Sequence, residues 1–169
     1  MSPFTTLIAT SELAANLHDT SLVVFDCRHD LSDYEAGRRA YSSGHIPGAR
    51  FLHLDEDLSG PKTGTNGRHP LPHPQTLALR LAALGVNADS QVVAYDASGG
   101  CFAARLWWML KWIGHDRVAV LNGGWDAWKA AEQPITSEVP KPAPGGLTPT
   151  PRNALGVNSA YIEEHLGQS

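Results

Sequence analysis

The sequence predicts an open α/β domain, a mostly parallel β-sheet flanked by helices on both faces. Three observations predict it. Strand-like and helix-like segments take turns along the chain, the strand candidates are near-continuous apolar runs as strands covered on both faces require, and turns of small residues follow them. A length of 169 residues with 42% hydrophobic content supplies one core without metals or disulfides. A formal net charge of -4 gathers neither nucleic acid nor anionic lipid. No apolar run reaches about 18 residues, and no basic region followed by an apolar stretch opens the chain. A cytoplasmic protein with no membrane and no nucleic-acid partner is therefore expected.

Thr10 and Ser11 are cap candidates for a first helix whose apolar face carries Leu13 and Leu17. Residues 22–26 (LVVFD) read as a short buried strand ending in an acid. A polar stretch with Tyr34 and Tyr41 leads to the turn 44–49 (GHIPGA) and a second apolar segment, 51–54. Residues 55–73 hold Gly60, Pro61, Gly64, Gly67, Pro70 and Pro72, and so long a loop in a compact domain is usually functional. Pro74 suits the first turn of a helix striped by Leu77, Leu81 and Leu84 and stopped by Gly85. Then come a third strand at 91–96 (QVVAYD), a tight turn at 97–100 (ASGG), a helix over 102–113 and a fourth strand at 117–121 (RVAVL). Asn122, Gly123 and Gly124 open a last helix that runs through Ala131.

The five tryptophans, Trp107, Trp108, Trp112, Trp125 and Trp128, fall on the last two helices at a spacing that predicts core packing. Six of the 12 prolines stand between positions 134 and 151, which reads as an extended linker. Beyond it, 157–166 (VNSAYIEEHL) repeats the apolar spacing of 8–17 (IATSELAANL), with Ser159 in the capping role of Thr10. The expected organisation is a domain over 1–137, a linker over 138–156, and over 157–169 the first helix of a truncated second copy.

A small-residue turn between a central strand and a helix aims several backbone N–H groups at one point, where the helix dipole adds positive charge. A cysteine at its mouth would be held as a thiolate nucleophile. Here the loop Asp96, Ala97, Ser98, Gly99, Gly100, Cys101 opens on an acid. Asp96 is expected to accept the loop N–H groups itself, as a built-in anion that holds the loop's shape and repels an anionic substrate. Cys101 is the one nucleophile candidate, near the first turn of a helix, although the packed run 102–108 that follows predicts a small buried residue. A cysteine-based phosphatase needs an arginine six positions after its cysteine, and Trp107 stands there while Arg105 comes two residues early. Cys27 reads as a small residue at the edge of the core, with no disulfide to Cys101. His69 and His73 flank prolines in an extended stretch and share no helix face, so neither a metal nor a cofactor is expected.

Four segments in order resemble the rhodanese (sulfurtransferase) family: 25–28 (FDCR), 44–49 (GHIPGA), 92–96 (VVAYD) and 121–125 (LNGGW). The resemblance covers residues 8–137 and implies a rhodanese-like fold. More narrowly, 57–61 (DLSGP) with 68–72 (RHPLP), and 102–108 (FAARLWW), look like the N-terminal half of two-domain thiosulfate or 3-mercaptopyruvate sulfurtransferases. In that family a cysteine opening the loop after the fourth sheet strand takes a sulfane sulfur, holds it as a persulfide within a ring of N–H groups, and hands it to a thiophilic acceptor. The resemblance implies that this cysteine lies in a C-terminal copy and that Asp96 occupies its place here. It implies also that Asp55 and His69 face the catalytic loop of that other domain across an interdomain cleft. The implied partners are the C-terminal catalytic rhodanese domain of the same parent chain and a small anionic sulfur donor bound by the pair. Two other roles stay open, a single-domain persulfide carrier using Cys101 and a docking module using the 55–73 loop.

Overall fold

The computed structural model describes residues 3–157 and 159–167. Strands β1 (Leu7–Ile8), β2 (Leu22–Asp26), β3 (Arg50–Phe51), β4 (Gln91–Tyr95) and β5 (Val118–Leu121) form one sheet in the order β1-β5-β4-β2-β3. Every pairing in it is parallel. The helices are α1 (Thr10–Asn16), α2 (Ala36–Ser43), α3 (Pro74–Ala83), α4 (Ala103–Trp112), α5 (Gly124–Ala130) and α6 (Ser159–His165).

Side chains alternate across a strand, so each central strand feeds two cores. Val23, Phe25, Val92, Ala94 and Val118 pack with Leu77 and Leu81 of α3 and Leu106 and Met109 of α4. Val24, Val93, Tyr95, Ala119 and Leu121 pack with Leu13 of α1 and Trp125 and Trp128 of α5. Burial on both faces is why these strands are continuously apolar, and the predicted parallel α/β class is the one observed.

Two elements have no counterpart among the predicted ones. β1 is only two residues long, too short for a period to show. Helix α2 (AGRRAYSS) buries only Gly37 and Tyr41, four residues apart, so its apolar stripe is one ring wide. The first helix also starts differently: Ala9 is the cap position, and the Glu12 carboxylate accepts the Ala9 N–H at 2.8 Å while Thr10 and Ser11 lie within the first turn.

The proline-rich segment lies along the ends of α3 and α4. Gly145 N–H donates to Ala82 O at 2.8 Å, Thr150 N–H to Ile113 O at 2.8 Å and Arg152 N–H to Trp112 O at 2.7 Å. Arg152 also grips Asp116 with two nitrogens, each 2.7 Å from a carboxylate oxygen. A single 3-10 turn (Asn153–Leu155) precedes α6, whose Tyr161 and Ile162 are exposed, as is Leu166 just after it. Asn158 and the Ser159 side chain, and with it the cap expected there, lie outside the described residues.

Candidate functional site

β2 and β4 are parallel neighbours, so their carboxyl ends deliver Asp26, Cys27 and Arg28 beside Asp96. The Asp96 side chain accepts four backbone N–H bonds from the loop that follows it. Ser98 and Gly100 donate to Oδ1 at 2.8 and 2.9 Å, and Phe102 and Ala103 donate to Oδ2 at 2.8 and 2.9 Å. Asp96 is 1% exposed, so the cradle is closed around its own carboxylate. The loop curls this tightly because Gly99 and Gly100 adopt φ of 67° and 91°. On the far side, Trp125 N–H donates to Asp96 O at 2.8 Å. A Cβ on Gly124 would stand 2.4 Å from that oxygen, which is why a glycine immediately precedes Trp125.

A buried ion pair supports the loop from the β2 side. Arg28 is paired with Asp26 at 2.6 Å, donates from Nη2 to Gly44 O at 2.6 Å, and lies over the Trp125 ring at 4.3 Å. Tyr95 Oη donates to Asp26 Oδ2 at 2.7 Å and accepts the Ile46 N–H at 3.3 Å. Burial, reinforced by the Asp26 carboxylate, pushes the Tyr95 phenol far up. FDCR, GHIPGA, VVAYD and LNGGW therefore meet at one point, a physical reason for their joint spacing.

The second feature is a cleft of about 310 Å³ lined by His29, Tyr34, Asp55, Lys62, Arg68 and His69, among others. Asp55 Oδ1 accepts from Lys62 Nζ at 2.7 Å and lies 3.4 Å from His69 Nδ1. The hydrogen-bonded Lys62 ammonium holds the Asp55 carboxyl below its usual range. Buried His53 positions this acid: its Nδ1 accepts the Asp55 N–H at 3.1 Å, so its Nε2 is the donor to Tyr34 O at 2.9 Å. From α4, Arg105 donates to Leu58 O at 2.9 Å and to His69 O at 2.9 Å, tying down both ends of the long loop. The His29 ring stands edge-on to Phe102 at 5.3 Å and to His53 at 5.1 Å, so cleft and Asp96 loop adjoin. His53 has no motif of its own in the sequence, whereas Arg28 and Arg105 stand within FDCR and FAARLWW with no structural role read for either.

Cys101 corrects the sequence reading. It is exposed, two residues ahead of α4, and donates its N–H to Ser98 O at 3.4 Å. Packing begins at the next residue, Phe102, because the turn after Gly100 sends the Cys101 side chain to solvent. Cys27 is buried as expected, and burial together with the Asp26 and Asp96 carboxylates pushes its thiol far up. Both thiols are free. Trp125 and Trp128 are core, whereas Trp107, Trp108 and Trp112 are half-buried against it, with Trp108 and Trp112 stacked at 5.9 Å.

Fold and site together define a parallel α/β domain with a filled anion cradle at the carboxyl end of its central strand. The chain belongs to the rhodanese-like domain family, whose model matches residues 9–131. It is 46% identical over 164 residues to a Pseudomonas aeruginosa protein named "Probable 3-mercaptopyruvate sulfurtransferase", covering 96% of this chain and 58% of that one. A thiosulfate sulfurtransferase of the same organism is 35% identical over 174 residues, covering 99% of this chain and 59% of the relative. Among solved structures, the 3-mercaptopyruvate sulfotransferase SseA from Escherichia coli superposes with a TM-score of 0.85 at 27% identity, over 96% of this chain and 62% of that one. The chain thus spans less than two thirds of the length of these relatives. Among the described residues no helix is long and apolar enough to cross a membrane.

Proposed function

We propose that this chain is the supporting, non-catalytic rhodanese domain of a two-domain sulfurtransferase that moves sulfane sulfur from thiosulfate or 3-mercaptopyruvate to a thiophilic acceptor. The observation that carries this reading is the Asp96 carboxylate, which takes up four loop N–H groups at 2.8–2.9 Å. A persulfide or an anionic donor would need those same donors. Asp96 then stands in the place of the family's cysteine, and the reacting cysteine belongs to a second rhodanese domain. Asp55 and His69 face the catalytic loop of that domain and orient or polarise a small anionic donor held between the two. The exposed apolar residues of α6 suit the first helix of that second copy. Two free thiols suit the reducing setting of the cytoplasm. No cofactor has a role in this scheme.

Sulfur transfer from thiosulfate to cyanide, and from 3-mercaptopyruvate to a thiol, is measured with the 169-residue chain. Background rates are expected. Turnover well above background that vanishes in Cys101→Ala overturns the proposal.

Exposure of Cys101 at the end of the loop favours a second reading, a stand-alone persulfide carrier. Mass spectrometry after thiosulfate treatment separates the two: an unmodified thiol fits the supporting domain, and one added sulfur on Cys101 fits the carrier. A docking role for the 55–73 loop is tested by gel filtration with the C-terminal domain of a full-length relative, where co-elution is expected.

A further inference from the structure

Arg50, on edge strand β3, carries a charge that the protein does not compensate. Its Nε and Nη1 are buried, and among the described residues nothing accepts a hydrogen bond from either. Its neighbours differ: Arg38 pairs with Glu56 at 2.8 Å and Arg80 with Asp57 at 2.7 Å. Burial draws the Arg50 pKa down, and Tyr41 is the one group acting against it. A guanidinium stays charged in a protein, so such a group calls for a partner.

The surroundings describe that partner. Arg50 lines a recess of about 180 Å³ with Arg38, Arg80 and Asp57, and Val139, Pro140 and Pro142 of the proline-rich segment form an apolar wall. The prolines bring no N–H group, and an apolar wall strengthens the field of the cations. Gly85, at φ +86, lets the segment close in: a Cβ there would stand 3.1 Å from Pro142 Cβ and 3.5 Å from Arg50 Nη2. The recess shares no lining residue with the Asp55–His69 cleft.

We propose that this recess is a binding site for a small oxyanion, anchored by Arg50. The guanidinium turns its orphan donors onto the anion's oxygens, and the anion supplies the missing counter-charge. Arg38 and Arg80, already paired, add favourable potential at the rim. The size of the recess suits a tetrahedral oxyanion or a short carboxylate.

The test uses the 169-residue chain at constant ionic strength, with sodium chloride replaced stepwise by phosphate, sulfate or acetate. A saturable rise in thermal midpoint with at least one of them is expected, following mass action, together with saturable heat in a calorimetric titration of the same anion. Response to phosphate and sulfate alone identifies a tetrahedral oxyanion; response to acetate identifies a carboxylate; either supports the site. Arg50→Met should weaken binding at least tenfold while leaving the anion-free midpoint unchanged or raised, since a half-buried charge with no ion partner is lost. Val139→Glu changes an exposed residue at the wall, keeps the fold, and should also weaken binding by repulsion. No saturable response in the wild-type chain, or an undiminished response in Arg50→Met, overturns the proposal.

Discussion

Asp96 and Arg28 show how much one ionised side chain organises when water is kept from it. Each loop N–H held by Asp96 is a donor that the fold has removed from solvent, and a buried donor left unsatisfied costs about 1–3 kcal/mol. Asp96→Ala strands four of them. Even with the loop partly relaxing into water, a loss of at least about 3 kcal/mol in urea unfolding is expected. Asp96→Asn keeps one acceptor oxygen and turns an amide donor toward the other two N–H groups, so it should recover little of that loss. Arg28→Ala leaves the Asp26 carboxylate buried with Tyr95 as its remaining side-chain partner, and a broken buried pair typically costs about 3–5 kcal/mol. The exposed pair Arg39–Asp33 is the control: Arg39→Ala should leave the unfolding midpoint almost unchanged, because solvent screens the pair. Equal losses for the two arginine variants would remove the case that Arg28 acts through burial.

Elements were legible where one signal repeated along the chain. Four consecutive apolar residues mark β2 and four mark β4, and leucines at helical spacing mark α3. Helix α2 escaped because its buried positions are a glycine and a tyrosine among arginines and serines. Gly37 is needed because a Cβ there would stand 2.0 Å from Arg28 O, and a close backbone approach of that kind leaves no hydrophobic trace. In the candidate site, Asp96 stood out because an acid at the mouth of a small-residue turn can accept the turn's N–H groups itself. Arg105 was not, since its partners are carbonyls of a loop some 40 positions away. The glycines of LNGGW give the element-scale test. Gly124 combines φ +57 with a Cβ position 2.4 Å from Asp96 O, so it locks the start of α5 to the site loop. A left-handed non-glycine residue costs about 1–2 kcal/mol and overpacking about 1–3, so Gly124→Ala should lose about 2–4 kcal/mol in urea unfolding. A loss under about 0.5 kcal/mol would show that α5 can shift away from the loop at little cost.

At the scale of the whole molecule, the sheet order β1-β5-β4-β2-β3 was out of reach of a local reading, because it depends on pairings between distant segments. One consequence of that packing is a global pH dependence. His115 follows α4 and leads into β5, and it is buried with its Nε2 lacking a hydrogen-bond partner among the described residues. Burial lowers its pKa from the ordinary value of 6.5; Arg117 acts in the same direction, and bonds to the Ser90 and Arg117 backbone and the Asp116 charge act against it. His29, in the cleft, is lowered too, by burial and then by His53. A histidine with a depressed pKa binds its proton more readily in the unfolded chain. Its contribution to stability is complete above the unfolded value and is lost as pH falls from there through the folded value. The lowered carboxyls of Asp55 and Asp116 act in a separate window, below their ordinary 3.8. Urea unfolding should therefore give a lower free energy at pH 5.5 than at pH 7.5, with proton uptake on unfolding between them. His115→Phe removes the titrating ring and should flatten that difference, whatever it does to stability at pH 7.5. If the difference between the two pH values is the same in the wild-type and variant chains, the dependence belongs to His29 or to another group. If the wild-type chain shows none, burial of these rings is not coupled to protonation.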